Sequence, residues 1–123
     1  MGCGANSSTI PTPTQEQINS ARVSPLPNNY KEQIKAYFYQ DLVDPAAAEY
    51  TFFSNKKGYS TQVNEDRSIV FGTEVYFRCT SRTSGGNIRG ENYMGFFVNG
   101  KLKVLYKCRS YDRYEILYHF WRG

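Results

Sequence analysis

The chain has 123 residues, of which 40% are hydrophobic and 21% are charged, a length and composition that suit one globular domain. No run of about 18 apolar residues occurs, so the sequence predicts no membrane-spanning helix. The formal net charge is +4, and its excess lies in residues 74–123, which carry nine basic and four acidic side chains. The 11 tyrosines and 8 phenylalanines favour β structure.

The chain begins Met-Gly-Cys-Gly-Ala-Asn-Ser-Ser, with a cysteine among small residues. This stretch resembles the junction of bacterial lipoproteins, where a small residue precedes the lipidated cysteine and Gly, Ala, Asn and Ser follow it. The resemblance implies lipidation of Cys3. Two alternatives stay open: an unmodified thiol, and myristoylation of Gly2 with palmitoylation of Cys3, although Asn6 stands where that motif has Ser or Thr.

Residues 4–29 are rich in Pro, Ser, Thr, Asn and Gln and contain four of the five prolines of the chain. Such a segment buries too little apolar surface to offset the entropy lost on ordering. We therefore predict a flexible, disordered tether over residues 1–27, followed by a single α+β domain over residues 28–123.

A helix is predicted to begin after Asn28 and Asn29, because an asparagine side chain caps the free amides of a first turn well. Asp44 and Pro45 predict its end, since the residue before a proline avoids the helical region. A short helical turn is predicted over 46–48. The apolar positions recur three and four residues apart, as on one helix face: Tyr30, Ile34, Tyr37, Phe38 and Leu42.

Several strands are predicted after this helix. Residues 50–53 are aromatic and β-branched, residues 55–58 predict a turn, and residues 59–63 predict a weak returning strand. Residues 68–72 are ambiguous, and residues 73–81 give the clearest strand. Its core-facing residues are predicted to be Val75, Phe77 and Cys79.

Asn99 and Gly100 predict the turn of a β-hairpin. A two-residue turn would set the lysines of the second strand beside apolar residues of the first. A longer turn with Gly100 as a bulge would align Phe96 with Leu102 and leave the lysines outside. We predict the second register, because it groups the apolar side chains.

Residues 111–121 are rich in β formers and predict a last strand whose apolar side chains contact another surface. We predict partner contacts at Tyr111, Arg113, Tyr114, Tyr118 and Trp121. The alternative is a small-ligand, peptide-binding or inhibitor module that uses the loop around residues 85–90, where free backbone amides could hold an anion. Its residues would be Arg82, Gly85, Gly86 and Arg89.

The sequence offers little for catalysis or for metal binding. Cys79 and Cys108 are interpreted as buried thiols, although a disulfide stays open. His119 is the only histidine and has no obvious nucleophile partner. We therefore expect a protein that is not an enzyme, with no cofactor, no metal and no nucleic-acid partner.

Residues 44–50, Asp-Pro-Ala-Ala-Ala-Glu-Tyr, resemble the "DPxSAxY" stretch of a set of small bacterial envelope proteins, many of them lipoproteins of unknown function. In that set a helix precedes this stretch, and a strand, a glycine-rich loop and a Gly-turned hairpin follow it. The resemblance implies a location and a fold but no catalytic residue.

Taken together, the patterns predict one N-terminal helix packed on an antiparallel sheet of four to five strands, an α+β class. The expected function is a cell-envelope lipoprotein, anchored in the outer membrane on the periplasmic side, that docks on another envelope protein or assembly.

Overall fold

The computed structural model describes residues 12–110 and 113–119. They form two helices, a 3₁₀ turn and five strands, so the predicted α+β class is confirmed. In chain order these are α1 (Gln15–Ser20), α2 (Tyr30–Asp41), the 3₁₀ turn (Pro45–Ala47), β1 (Glu49–Ser60), β2 (Val70–Arg82), β3 (Ile88–Val98), β4 (Lys101–Ser110) and β5 (Arg113–His119). The strands form one antiparallel sheet in the order β1-β2-β3-β4-β5.

Helix α1 corrects the prediction of a single helix, because it lies inside the segment assigned to the tether. Its first turn is held by a capping box: the Gln17 amide donates to the Thr14 hydroxyl, and the Thr14 amide donates to the Gln17 side chain. Ile18 is buried, and the Lys57 ammonium of β1 donates to the carbonyl oxygens of Asn19 and Ala21 at 2.9 Å each. These contacts stabilise a short helix that composition alone does not predict.

Helix α2 begins at Tyr30 as predicted, but Asn29 does not cap it through its side chain. The Asn29 side chain instead accepts from Gln33 Nε2 at 3.1 Å. Gln33 also binds the β3–β4 turn, because its Nε2 donates to the Gly100 carbonyl and its Oε1 accepts from the Leu102 amide, each at 2.9 Å. One glutamine therefore fixes the helix against the sheet.

The main core lies between α2 and one side of the sheet, which we call the helix face. The predicted alternation along β2 is confirmed, since Val75, Phe77 and Cys79 are all buried there. The Phe38 ring packs edge-on against Phe77 and Tyr93, at centroid distances of 6.0 and 4.9 Å. The buried residues of this core are Ile34, Phe38, Val75, Phe77, Cys79, Phe97, Leu102 and Leu105.

Strand β1 is longer than predicted, and the predicted turn over residues 55–58 is wrong. A bulge at Phe53 shifts the pairing with β2 by one residue, and pairing then continues to Ser60 opposite Val70. Before and after the bulge, different alternate positions of β1 face the core. The alternation of apolar and polar residues in the sequence is therefore interrupted, although the strand continues.

A second core lies on the opposite side of the sheet, which we call the far face. Its buried residues are Val63, Met94, Phe96, Val104 and Tyr106. The hydroxyls of Ser60 and Tyr106 are hydrogen-bonded at 2.8 Å, although two strands separate β1 from β4. The distal end of the β1–β2 hairpin therefore bends over the far face. The paired glycines at the bend, Gly58 and Gly72, are both buried.

The β3–β4 hairpin does not use the predicted register. Its turn contains only Asn99 and Gly100, whose positive φ angles of 52° and 80° match the twist of the flanking strands. The ladder then skips Lys103, so Phe97 lies opposite Leu102 and Phe96 lies opposite Val104. A bulge inside β4, and not at the turn, keeps apolar side chains together.

Candidate functional site

The far face carries a buried carboxylate at the bend of the β1–β2 hairpin. Glu74 is 8% exposed, and its Oε1 accepts a hydrogen bond from the Tyr76 hydroxyl at 2.5 Å. Its carboxyl lies against the backbone of Gly58, and Lys56 is the residue opposite Glu74 on β1. The strand pattern does not predict this buried group, because an acid that alternates with apolar strand residues normally faces water.

Burial raises the pKa of the Glu74 carboxyl above its ordinary value of 4.5. The hydrogen bond from Tyr76 and the positive charge of Lys56 act in the opposite direction but do not cancel this effect. Because the folded state binds this proton more tightly than the unfolded chain does, ionisation of Glu74 costs stability as the pH rises.

We expect Glu74→Gln to remove this pH dependence. From pH 4.5 upward through the folded pKa, the free energy of unfolding of the wild type should fall relative to that of the variant. Urea unfolding across a pH series measures both curves. The exposed Glu65→Gln provides the control and should run parallel to the wild type. Parallel curves for Glu74→Gln as well would contradict the assignment.

The helix face holds the half-buried hydroxyl of Tyr50 beside the buried thiol of Cys79. The Tyr50 hydroxyl is hydrogen-bonded to Cys79, and burial followed by the proximity of Cys79 raises the pKa of Tyr50. Burial also raises the pKa of the Cys79 thiol, which disfavours the reactive thiolate. No disulfide joins Cys79 and Cys108.

The glycine-rich loop between β2 and β3 uses its own amides. The Thr83 amide donates to the Asn87 carbonyl at 2.7 Å, and the Gly86 amide donates to the Thr83 carbonyl at 2.9 Å. The Asn87 amide donates to the Thr83 hydroxyl at 3.2 Å. Gly85 lies at the exposed tip of this loop. These bonds leave few of the loop amides to hold an anion.

The structure separates the two arginines of the predicted ligand site. Arg82 pairs with Ile88 and Ser81 pairs with Arg89, so the two arginines lie on opposite faces of the sheet. Arg82 donates to the Gly86 carbonyl at 3.2 Å, whereas Arg89 lies 3.6 Å from the carboxylate of Glu91. A cleft of about 250 Å³ includes Arg82 but not Arg89. It is lined by Ala47, Glu49, Thr80, Ser81, Arg82 and Ile88.

Two lysines of α2 lie over aromatic rings at the start of β1. The Lys31 ammonium is 5.0 Å from the centroid of the Phe52 ring, and the Lys35 ammonium is 5.4 Å from that of Tyr50. Both lysines are exposed, and neither forms an ion pair within residues 12–110 and 113–119. The two lysines therefore place two positive charges on the helix face beside the edge strand β1.

Residues 113–119 of the segment predicted to contact a partner form the opposite edge of the sheet that the structure describes. Arg113, Tyr114 and Tyr118 belong to β5, which in the described part of the chain pairs only with β4. Tyr111 and Trp121 lie outside the described residues, as does Cys3.

Comparison of the chain with protein-family models, with curated proteins and with solved structures finds no significant match. Within the described residues, no three His, Cys, Asp or Glu side chains are grouped to hold a metal ion. Neither helix of that part is long and apolar enough to cross a membrane.

Proposed function

We propose that the chain is a non-enzymatic lipoprotein of the bacterial cell envelope, whose α+β domain docks on another envelope protein. A lipid on Cys3 attaches it to the outer membrane on the periplasmic side. The C-terminal segment contacts the partner through Tyr111, Arg113, Tyr114, Tyr118 and Trp121.

The position of β5 is the observation that supports the docking role. An edge strand presents backbone donors and acceptors along its free side, and another protein can pair with them. Among the described strands, β5 pairs on one side only, and its exposed Ile116 adds apolar surface. Tyrosine and tryptophan are the residue types that most often dominate such interfaces.

The anchor sets the reach of the domain. Eight residues lie between Cys3 and Thr12, the first described residue, and a fully extended chain over these nine residue-to-residue steps spans about 30 Å. The domain would therefore act close to the membrane surface, where partners of the same envelope are concentrated.

Cells that express the native reading frame provide the test, with labelled palmitate to detect the lipid and a cross-linker to detect the partner. The wild type should take up the label and form a discrete cross-linked product. Cys3→Ser should lose the label, whereas Tyr118→Ala/Trp121→Ala should keep the label and lose at least about nine-tenths of the product, as expected for interface residues worth 1–2 kcal/mol each.

The lipid measurement and the cross-linking measurement can each contradict one part of the proposal. A label that persists in Cys3→Ser excludes the anchor at that residue. A cross-linked product that is unchanged in Tyr118→Ala/Trp121→Ala excludes the C-terminal contact surface. The matched control is Tyr39→Ala, which removes an exposed tyrosine of α2 on a different element and should change neither readout.

A further inference from the structure

We propose that the free edge of β1 binds an extended acidic segment of another protein, with carboxylates at alternate positions that contact Lys31 and Lys35. This surface lies at the edge opposite β5, and it does not depend on the lipid anchor or on the C-terminal contacts.

The first support is the free backbone of β1. Among the described strands, β1 pairs only with β2, and the stretch Glu49–Phe52 precedes the bulge, where pairing with β2 is regular. Helix α1 contacts β1 at Lys57, beyond the bulge. The stretch before the bulge therefore offers a regular edge to which a further strand can be added.

The second support is the spacing of the two charges. The rings of Tyr50 and Phe52 point to the helix face from alternate positions of β1, stacked with their centroids 6.4 Å apart. Lys31 lies over the ring of Phe52, and Lys35 lies over that of Tyr50. Side chains on one face of an added strand recur every two residues, about 6.6 Å apart. Carboxylates at positions i and i+2 of that strand would match both lysines.

The lysines are held in place but not neutralised. Each ammonium group rests over a π-face, an arrangement that is favourable at exposed sites and restricts the long side chain. The carboxylates on the same elements, Glu32, Asp41 and Glu49, form no ion pair with them within the described residues. An incoming carboxylate therefore finds a positioned and unpaired cation.

The charge of the chain also disfavours a second copy of it as the strand that pairs with the β1 edge. Pairing of β1 with β1 of another copy would bring the lysines of both copies to one edge, and lysine at an edge strand hinders such self-pairing. The net charge of +4 opposes it further. An acidic partner is attracted by the same charges that repel a second copy.

Fluorescence anisotropy at low ionic strength tests the proposal with the full chain and a labelled peptide of alternating glutamate and threonine. Lys31→Gln/Lys35→Gln should weaken binding about fivefold, as expected for two exposed ion pairs. Lys31→Arg/Lys35→Arg keeps both charges and should bind like the wild type. Arg22→Gln/Lys101→Gln removes the same charge from exposed sites elsewhere and should weaken binding by less than about twofold.

Two further probes separate strand addition from simple charge attraction. The same peptide with N-methylated backbone amides keeps its carboxylates but cannot pair with an edge, so it should bind much more weakly. In a last measurement, vesicles of anionic or of zwitterionic phospholipid replace the peptide, to test whether the lysines bind a lipid surface instead.

Three results would overturn the proposal. The first is equal loss of binding in the Lys31/Lys35 and Arg22/Lys101 glutamine variants. The second is undiminished binding of the N-methylated peptide. The third is the absence of peptide binding. If the protein then binds anionic vesicles and this binding depends on Lys31 and Lys35, the two lysines belong to a membrane-binding surface.

Discussion

Gly72→Ala should lower the free energy of unfolding by about 2–3 kcal/mol, the upper part of the range for a substitution that overpacks a core and moves the backbone. A β-carbon at this position would overlap the carbonyl oxygen of Phe97 and would lie 2.8 Å from Cζ of the Phe96 ring. The carbonyl belongs to the backbone of β3 and cannot rotate away. Relief would require the β1–β2 hairpin to lift from the far face.

Urea unfolding followed by circular dichroism measures this effect. The control is Gly85→Ala, because a β-carbon there would have only the Thr83 hydroxyl within reach, at 3.9 Å. We expect that control to lie within about 0.5 kcal/mol of the wild type. Equal stability of Gly72→Ala and Gly85→Ala would show that the bend of the hairpin is not sterically fixed.

Phe38→Ala should lower the free energy of unfolding by about 3–5 kcal/mol, the usual cost of removing a fully buried phenylalanine ring. Phe38 is 1% exposed and packs edge-on against rings from three strands, namely Tyr50 of β1, Phe77 of β2 and Tyr93 of β3. Its removal would leave a cavity where α2 crosses the sheet.

Tyr39 is the neighbouring residue on α2 and is 64% exposed, so Tyr39→Ala makes a similar truncation without a cavity. The midpoint of thermal unfolding should fall by well over 10 °C in Phe38→Ala, and by only a few degrees in Tyr39→Ala. A small shift in Phe38→Ala would mean that α2 contributes little to the main core.

The parts of the fold that follow from local pattern could be predicted. Helix α2 follows from apolar residues three and four positions apart and from Pro45 beyond its end. The central part of β2 follows from strict alternation, since Val75, Phe77 and Cys79 are buried on one face. In both elements one face packs against the main core, and this produces the regular spacing of apolar residues in the sequence.

The parts that depend on distant contacts could not be predicted. Strand β1 continues past its bulge because each later residue pairs with β2, and the second core exists because the hairpin bends toward Tyr106. Neither fact leaves a periodic signal. Helix α1 is signalled only by Thr14 and Gln17, three residues apart, within a segment whose composition indicates a tether.

The candidate sites were predicted less well than the fold. The burial of Glu74 results from the bend of the hairpin, and Lys31 and Lys35 meet the rings of β1 only after α2 has packed on the sheet. Conversely, Arg82 and Arg89 are close in the sequence but lie on opposite sides of a strand pair. Distance along the chain is a poor guide to which polar groups share a surface.

The strand order also has a consequence for the time course of folding. Each strand pairs with its predecessor, so every new ladder closes a short loop at small entropic cost, and strands can be added in the order in which they are synthesised. The contacts that must wait are the link from Ser60 to Tyr106 and the link from Gln33 to the β3–β4 turn. Both depend on β4, so neither of the two cores, as the described residues form them, can close before β4 pairs with β3.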